Sequence, residues 1–210
     1  MNVFEFMMKD RAEVSTLVLE HVWLVGISML LAIAVGLPLG IMLTRRRWQK
    51  PVIGLANVLQ TIPSLALFGF LLPAPWLGAR ADRLAITALT LYALLPIIRN
   101  TYVGIAGVDP AIREAARGMG LTDSQLLWRI ELPLSMGVII AGVRTATVIC
   151  VGVATIAAAI GAGGLGEFIF RGVAMVNNQL ILAGAIPAAA LAVGADVGLG
   201  ALERRLKARW

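Results

Sequence analysis

Two long apolar segments without a single charged residue constrain the fold of this chain more than any other feature. They run through residues 22–43 and 51–79. A helix needs about 20 residues to cross the roughly 30 Å hydrocarbon core of a bilayer, so each segment is long enough to span it. Three further apolar runs extend the pattern. We therefore predict five spans, at about residues 22–43, 52–72, 84–102, 133–160 and 180–201.

The composition predicts helices in lipid rather than a soluble core. Hydrophobic residues make up 59% of the 210 and charged residues only 14%, against about a quarter charged in soluble domains. Every backbone polar group in a bilayer needs an internal partner, and continuous rather than alternating hydrophobicity argues against barrel strands. We expect an all-α, polytopic membrane protein with one transmembrane domain, residues 1–210, and a connecting loop at about 103–132.

The basic residues predict which way the chain crosses the membrane. The net charge is +6, and the basic residues cluster at the ends of apolar segments. This placement indicates a role in membrane orientation rather than in nucleic-acid binding. Twelve of the 18 basic residues fall in 45–50, 99–131 and 204–209, and five fall in 9–11, 80–83 and at Arg171. The positive-inside rule then places the amino terminus outside and the carboxyl terminus in the cytoplasm. The first apolar run is too long for a cleaved signal peptide, so we expect it to remain as a span.

The loop at 103–132 is predicted to form two short helices joined by a turn. Asp109 can cap the first helix and Pro110 fits its first position. Gly120 supplies the turn, and Thr122 with Gln125 has the spacing of a capping box for the second helix, which should continue until Pro133. Small Ala115 and Ala116 lie beside charged Arg113, Glu114 and Arg117, which indicates a surface that another protein can approach closely, with charge pairs at its rim.

A pattern of seven residues at fixed spacing lies in and after this loop: Glu114, Ala115, Ala116, Gly120, Ile130, Leu132 and Pro133. The spacing E-A-A-x3-G-x9-I-x-L-P is similar at every fixed position to the signature of ABC-transporter permease subunits. Residues 60–66, 108–110 and 160–166 resemble the osmoprotectant branch of that family, the glycine betaine, carnitine and choline permeases. The resemblance covers nearly the whole chain.

The resemblance implies a type I ABC importer permease fold in the bacterial cytoplasmic (inner) membrane. It implies that the loop docks in a groove on a separate ATPase subunit, with Gly120 at the tight turn, and that ATP binds there, so that this chain binds no cofactor. The further partners implied are a second copy or a paralogue of the permease and an extracytoplasmic substrate-binding protein. The implied cargo is a compatible solute; methionine, a sulfonate or a thiol-betaine is the alternative.

Other sequence patterns argue against nucleotide binding, metal binding and catalysis by the chain itself. Gly161, Gly163 and Gly166 spell G-x-G-x-x-G, but they follow an apolar span instead of a strand, so we expect an extracellular turn. None of the three lysines follows the glycine of a Walker A loop. The single histidine and single cysteine cannot form a metal or nucleophile site together. We expect His21, at the start of the first span, to mark the membrane interface, with pH sensing as the alternative, and Cys150 to be a small core residue. We therefore predict a transport subunit without catalytic or metal-binding residues.

An ATP-independent channel or ion-coupled carrier is the alternative from another class. Such a carrier would need inverted repeats or several carboxylates inside the membrane, and Asp196 is the only acid well inside a predicted span. The sequence also contains two G-x-x-x-G pairs, Gly36 with Gly40 and Gly194 with Gly198. We expect these to let helices approach closely within the subunit, with a dimer face as the alternative.

Polar residues inside the predicted spans are candidates for a pathway or gate, because even on a lenient scale a charge in hydrocarbon costs about 2.5–3.5 kcal/mol. We predict that Arg144 pairs with Asp196 as a clamp or gate, or else that each is hydrated separately. Tyr92 and Trp76 offer aromatic faces to quaternary ammonium groups, although Trp76 also fits interfacial anchoring. The full candidate set is Gln60, Thr61, Pro63, Ser64, Tyr92, Arg144, Thr145 and Asp196.

Overall fold

The computed structural model describes residues 3–45 and 48–207, and every regular element in this part of the chain is a helix. The first half contains α1 (Val3–Lys9), α2 (Arg11–Arg45), α3 (Gln49–Thr61), α4 (Ser64–Leu71), α5 (Pro75–Gly78) and α6 (Ala81–Ala106). The second half contains α7 (Pro110–Gly118), α8 (Asp123–Leu126), α9 (Leu132–Ala157), α10 (Gly166–Ala174) and α11 (Asn178–Lys207). Arg46, Arg47 and Arg209, which contribute to the orientation prediction, lie outside the described residues.

Four stretches of helix are long and apolar enough to cross a membrane: Arg11–Arg45, Ala81–Ala106, Asp123–Ile160 and Asn178–Leu206. A bent pair, α3 with α4, makes a fifth if it is counted as one span. The all-α, polytopic fold class is therefore confirmed. The first span begins earlier than predicted, because α2 starts eleven residues before the charge-free segment.

The predicted span at 52–72 is not one continuous helix. Helices α3 and α4 meet at an angle of 101°. Pro63 precedes α4 with φ −56° and ψ 138°, and Ile62 before it is extended at ψ 125°. The proline ring excludes the helical conformation at the preceding residue, and proline has no N–H to continue the helix. The apolar segment therefore forms two short helices, α3 and α4, that are joined by a sharp bend.

The helix that follows the turn at Gly120 runs directly into a span, instead of ending at Pro133 as expected. A single π-helical turn, Leu127–Glu131, joins α8 to α9. In a regular α-helix the ring of Pro133 would clash with the carbonyl four residues earlier, and the wider turn relieves that contact. The predicted second loop helix and the predicted fourth span are therefore one stretch of helix, Asp123–Ile160.

The core lies between α2, α6 and α9. Gly36 and Gly40 let α2 lie directly on α6: an added Cβ at Gly40 would sit 2.5 Å from the Cβ of Thr101. This G-x-x-x-G pair packs within the subunit, as predicted. The second pair makes no such contact, since nothing described lies within 4 Å of a Cβ added at Gly194 or Gly198.

The bundle has two distinct ends. The one we call the loop end carries α7, α8 and the last residue of α2, Arg45. The opposite one, the far end, carries the glycine turn after α9. There the backbone N–H of Gly164 donates to the carboxylate of Glu20 on α2 at 2.9 Å, and Gly161 and Gly163 have φ of 77° and 83°. This turn joins two helices, so the structural context of a dinucleotide-binding strand is missing here.

His21 lies inside the bundle, and its assignment to the membrane interface is wrong. The side chain is fully buried, with Nε2 3.2 Å from the carbonyl oxygen of Val151 on α9. The assignment failed because α2 begins at Arg11, which moves His21 to the third turn of the helix on its packed face. Cys150 is buried in the core, as predicted.

Candidate functional site

Helix α7 is an exposed helix whose ends are fixed by its own side chains. The carboxylate of Asp109 accepts the N–H of Ala111 at 2.8 Å, and Pro110 occupies the first position. The helix ends at Gly118, and Gly120 follows with φ 84° and with open space around it. A residue with a Cβ at this position would be destabilised by the left-handed backbone conformation. These contacts confirm the predicted start, end and turn of the first loop helix.

The two faces of α7 differ in what they contact. Ala116 is 1% exposed and faces the bundle. Ile112, Ala115 and Met119 point away from the bundle and are exposed, Met119 by 73%, as is Glu114. Their i, i+3, i+7 spacing makes one apolar stripe, which we call the docking stripe (Ile112, Ala115, Met119). An exposed stripe of this kind at the end of a membrane bundle suits contact with another protein.

The sequence reasoning found Ala115 but missed Ile112 and Met119. Their helical spacing was the signal that could have identified them. The seven motif residues also separate in space. Glu114, Ala115 and Gly120 are exposed on the loop, whereas Ile130, Leu132 and Pro133 are half-buried in the helix that leads into the span.

The second loop helix starts with the predicted capping box. The N–H of Gln125 donates to the Thr122 hydroxyl at 3.3 Å, and the N–H of Thr122 donates to the Gln125 side-chain oxygen at 2.9 Å. An exposed ion pair between Arg117 and Asp123, at 3.3 Å, crosses the turn between the two helices. The helix-turn-helix predicted for the loop is therefore present, with its second helix extended into the span.

A buried carboxylate that the sequence reasoning did not identify lies behind α7. Glu131 is fully buried, and it accepts a hydrogen bond from Arg45 at the end of α2. Its other oxygen lies 3.1 Å from Nε of Arg113 on α7, an ion-pair contact outside hydrogen-bond geometry. Arg113 therefore faces inward, and its assignment to the rim of the docking surface is wrong. An acid between Ile130 and Leu132, where a span begins, was the available signal.

Two adjoining polar cavities form a groove beside the break between α3 and α4. The first, of about 350 Å³, includes Gln60, Thr61, Pro63, Ser64 and Tyr92 in its lining. The second, of about 420 Å³, is lined among others by Gln60, Arg99, Asn100 and Thr145. We call the two together the polar groove. It gathers every candidate pathway residue except Arg144 and Asp196.

The helix break is held by contacts with α6. The Tyr92 hydroxyl donates to the carbonyl oxygen of Ile62, and the Gln60 amide donates to the carbonyl oxygen of Tyr92 at 3.0 Å. Tyr92 is only 8% exposed, so its ring is not an open aromatic face for a cation. Thr61 and Thr145 bond carbonyls of their own helices, as membrane hydroxyls commonly do. Trp76, 72% exposed on α5, fits interfacial anchoring.

Arg144 and Asp196 meet on the other side of α9, where they join it to α11. The guanidinium donates two hydrogen bonds to the carboxylate, at 2.6 and 2.7 Å, and lies 3.4 Å from Glu203. The predicted pairing is thus present, and its role as clamp or gate stays a prediction. Within the described residues, no group of three or more His, Cys, Asp or Glu side chains is placed to hold a metal ion.

Helices long and apolar enough to cross a membrane, a polar groove between them and an exposed amphipathic loop helix are the features of a membrane transport subunit. A family model described as "Binding-protein-dependent transport system inner membrane component" matches residues 28–208. The chain belongs to this family, and it is a multi-pass inner-membrane permease.

Named relatives are similar to the chain over most of both lengths. "Carnitine transport permease protein OpuCB" of Listeria monocytogenes is 47% identical over 188 residues, 89% of this chain and 85% of the relative. "Osmoprotectant import permease protein OsmW" of Salmonella typhimurium is 41% identical over 199 residues, 93% of each. "Glycine betaine/carnitine/choline transport system permease protein OpuCD" of Bacillus subtilis is 49% identical over 181 residues, 85% of this chain and 78% of the relative.

Solved structures share the fold. A structure titled "Inward facing conformations of the MetNI methionine ABC transporter" superposes with a TM-score of 0.83 at 20% identity, over 93% of this chain and 97% of that one. A structure titled "Crystal structure of an amino acid ABC transporter with histidines" gives 0.68 at 18% identity, over 99% and 98%. The type I ABC importer permease fold is therefore confirmed.

Proposed function

We propose that this chain is the membrane-spanning subunit of an ATP-driven importer for compatible solutes such as glycine betaine, choline or carnitine. The observation that carries the proposal is the presence of both an exposed docking stripe on α7 and a polar groove, in a chain 41–49% identical to permeases named for osmoprotectants, carnitine, or glycine betaine, carnitine and choline. The stripe receives movement from a partner, and the groove forms part of the route for the solute.

The energy comes from a separate ATPase subunit. The chain lacks a Walker A lysine, so it is a transport subunit without its own ATPase site, and it needs no cofactor of its own. The loop at about 103–132 is the coupling element. Its exposed Glu114, Ala115 and Gly120 and the docking stripe contact the ATPase, and the tight turn at Gly120 keeps the surface free of a side chain.

The loop end faces the cytoplasm and the amino terminus lies outside. Basic residues described at the loop end support this orientation through the positive-inside rule: Arg45, Lys50, Arg113, Arg117, Arg129, Arg204 and Arg205. The polar groove opens on one side of the subunit, so a second permease, either a copy of this chain or a paralogue, closes the route. An extracytoplasmic binding protein delivers the solute at the far end.

The polar groove suits small solutes that carry a carboxylate. Arg99 lines it within α6, is exposed to it and has no ion-pair partner among the described residues. A charged residue inside a span is by default part of a functional site. Its guanidinium can pair with the carboxylate of glycine betaine or carnitine, which choline lacks. Gln60 and Asn100 add amide groups beside it.

Competitive uptake tests the proposed cargo. Cells that express the whole operon should take up labelled glycine betaine, and unlabelled choline and carnitine should compete while methionine should not. Competition by methionine alone would assign the chain to an amino-acid importer. Uptake that persists after ATP depletion would identify a channel or ion-coupled carrier.

A further inference from the structure

Glu131 joins parts of the protein that are distant in sequence. Its buried carboxylate contacts Arg45, the last residue of α2, and Arg113, in the middle of α7. Glu131 itself is the last residue of the π turn that leads into α9. Arg113 also donates to the carbonyl oxygen of Ile105 near the end of α6. Two spans and the exposed loop helix therefore meet at one carboxylate, and Arg113 connects them to a third span, α6.

Helix α7 has few other attachments to the bundle. Ala116 is its only buried side chain. Its other links to the bundle are the covalent connections at its two ends, the Arg117–Asp123 ion pair to α8 and the hydrogen bond from Arg113 to Ile105 on α6. Those connections lead to α6 and to α8, and neither leads to α2. The bond from Glu131 to Arg45 is thus a direct route from the loop to α2 that does not pass along the backbone.

The burial of Glu131 and of its two arginine partners differs, so loss of the contact costs the carboxylate more than it costs the arginines. The carboxylate is 1% exposed, while the side chains of Arg45 and Arg113 are 37% and 24% exposed. A buried charge that loses its partners carries a large penalty, so the pair resists separation when the loop is displaced. The arginines keep access to water, which lets each remain charged without the carboxylate.

We propose that Glu131 is a positioning residue that couples α7 to helices α2 and α9, so that movement imposed on the docking stripe reaches the spans. The carboxylate holds Arg113 and Arg45 at a fixed separation, and α7, α2 and the start of α9 move as one unit. This inference rests on the proposed function, because it assumes that an ATPase subunit moves α7.

The test compares transport with ATP hydrolysis in the same vesicles. Complexes of permease, ATPase and binding protein carry either native permease or Glu131→Gln, which keeps the shape of the side chain and removes its charge. The variant should assemble and hydrolyse ATP, but solute uptake per ATP should fall about tenfold, within the range that coupling residues span. Unchanged uptake per ATP in the variant, or equal falls in uptake and in ATP hydrolysis, would overturn the proposal.

The matched control is Asp82→Asn, which removes the carboxylate of an exposed ion pair with Arg80 at the far end. It should leave uptake per ATP unchanged. A second series separates linkage from stability. Arg113→Gln should reproduce the defect, Arg113→Lys should restore part of the uptake, and the double variant Glu131→Gln with Arg113→Gln should be no worse than either alone. Additive losses would contradict a shared link. Should Glu131→Gln fail to assemble, the comparison of Arg113→Gln with Arg113→Lys carries the test.

A measurement that needs no transported solute distinguishes failure of this inference from failure of the cargo assignment. Spin labels at Ala111→Cys on α7 and Met42→Cys on α2, in a Cys150→Ala background, report the distance between the two helices. In the native complex the distribution should be narrow and should keep its width when ATP is added. Glu131→Gln should broaden it. Distance distributions of equal width in the native and Glu131→Gln complexes would overturn the proposed coupling through Glu131, whether or not the complex transports osmoprotectants.

Discussion

Arg144 on α9 donates two hydrogen bonds to the carboxylate of Asp196 on α11, at 2.6 and 2.7 Å. The planar guanidinium fits the carboxylate in the geometry that favours arginine over lysine. If either residue were replaced by an uncharged one, the other would be a charge inside a membrane-spanning helix without this partner. The pair is therefore the main polar connection between the last two spans.

Exchange of the two charges tests whether the pair acts as a clamp. Arg144→Asp and Asp196→Arg should each lower both the amount of permease in the membrane and the uptake, because each places two like charges together. The double variant should restore both quantities in part. The measurement is uptake normalised to permease detected in the membrane. Normal uptake by either single variant would contradict the clamp.

The turn at Gly120 should not tolerate a side chain. Its φ of 84° costs a residue with a Cβ about 1–2 kcal/mol, so Gly120→Ala should lower uptake and recovery of the ATPase with the purified permease. Gly118→Ala is the control, since Gly118 ends α7 with open space around it and its φ is not positive. Equal effects of the two substitutions would show that the backbone conformation at 120 is unimportant.

The close contact between α2 and α6 should be sensitive to a single methyl group. Gly40→Ala forces its Cβ against Thr101 and should lower the free energy of unfolding by about 1–3 kcal/mol. Gly26→Ala in the same helix meets nothing within 4 Å and is the matched control. Thermal unfolding in detergent measures both. A normal melting temperature for Gly40→Ala would mean that the helices can separate without cost.

The hydroxyl of Tyr92 should stabilise the break between α3 and α4. Tyr92→Phe removes the hydrogen bond to the Ile62 carbonyl and should cost about 1 kcal/mol of stability. Tyr102→Phe is the control, because the Tyr102 hydroxyl has no hydrogen-bond partner among the described residues. Thermal unfolding of the two variants gives the comparison. Equal melting temperatures would contradict a role for Tyr92 in fixing the break.

Arg99 should select solutes that carry a carboxylate. Arg99→Gln should reduce uptake of glycine betaine and carnitine about tenfold, because it removes one charge-assisted hydrogen bond, and should spare choline. Arg83→Gln, at an exposed position near the start of α6, controls for loss of a positive charge. Equal losses for all three solutes would assign Arg99 a structural role.

Local chemistry allowed part of this structure to be predicted from the sequence. Hydropathy indicated the spans, and the caps at Asp109 and Thr122 gave the loop helices, because each depends only on residues a few positions apart. Pro63 indicated a bend, but its angle of 101° could not be predicted, because the contact of Ile62 with Tyr92 is tertiary. The inward turn of Arg113 depends on Glu131, 18 positions away, so spacing within α7 could not reveal it.

The central claim is that a separate ATPase drives solute movement through this chain by way of α7. The most direct measurement is uptake of labelled glycine betaine into proteoliposomes that contain the complete complex, with ATP supplied on the side of the loop end, for native permease and for Gly120→Asp. We expect ATP-dependent uptake by the native complex, and its loss in Gly120→Asp with the permease still in the membrane. Uptake that needs no ATP and survives the substitution would contradict the account.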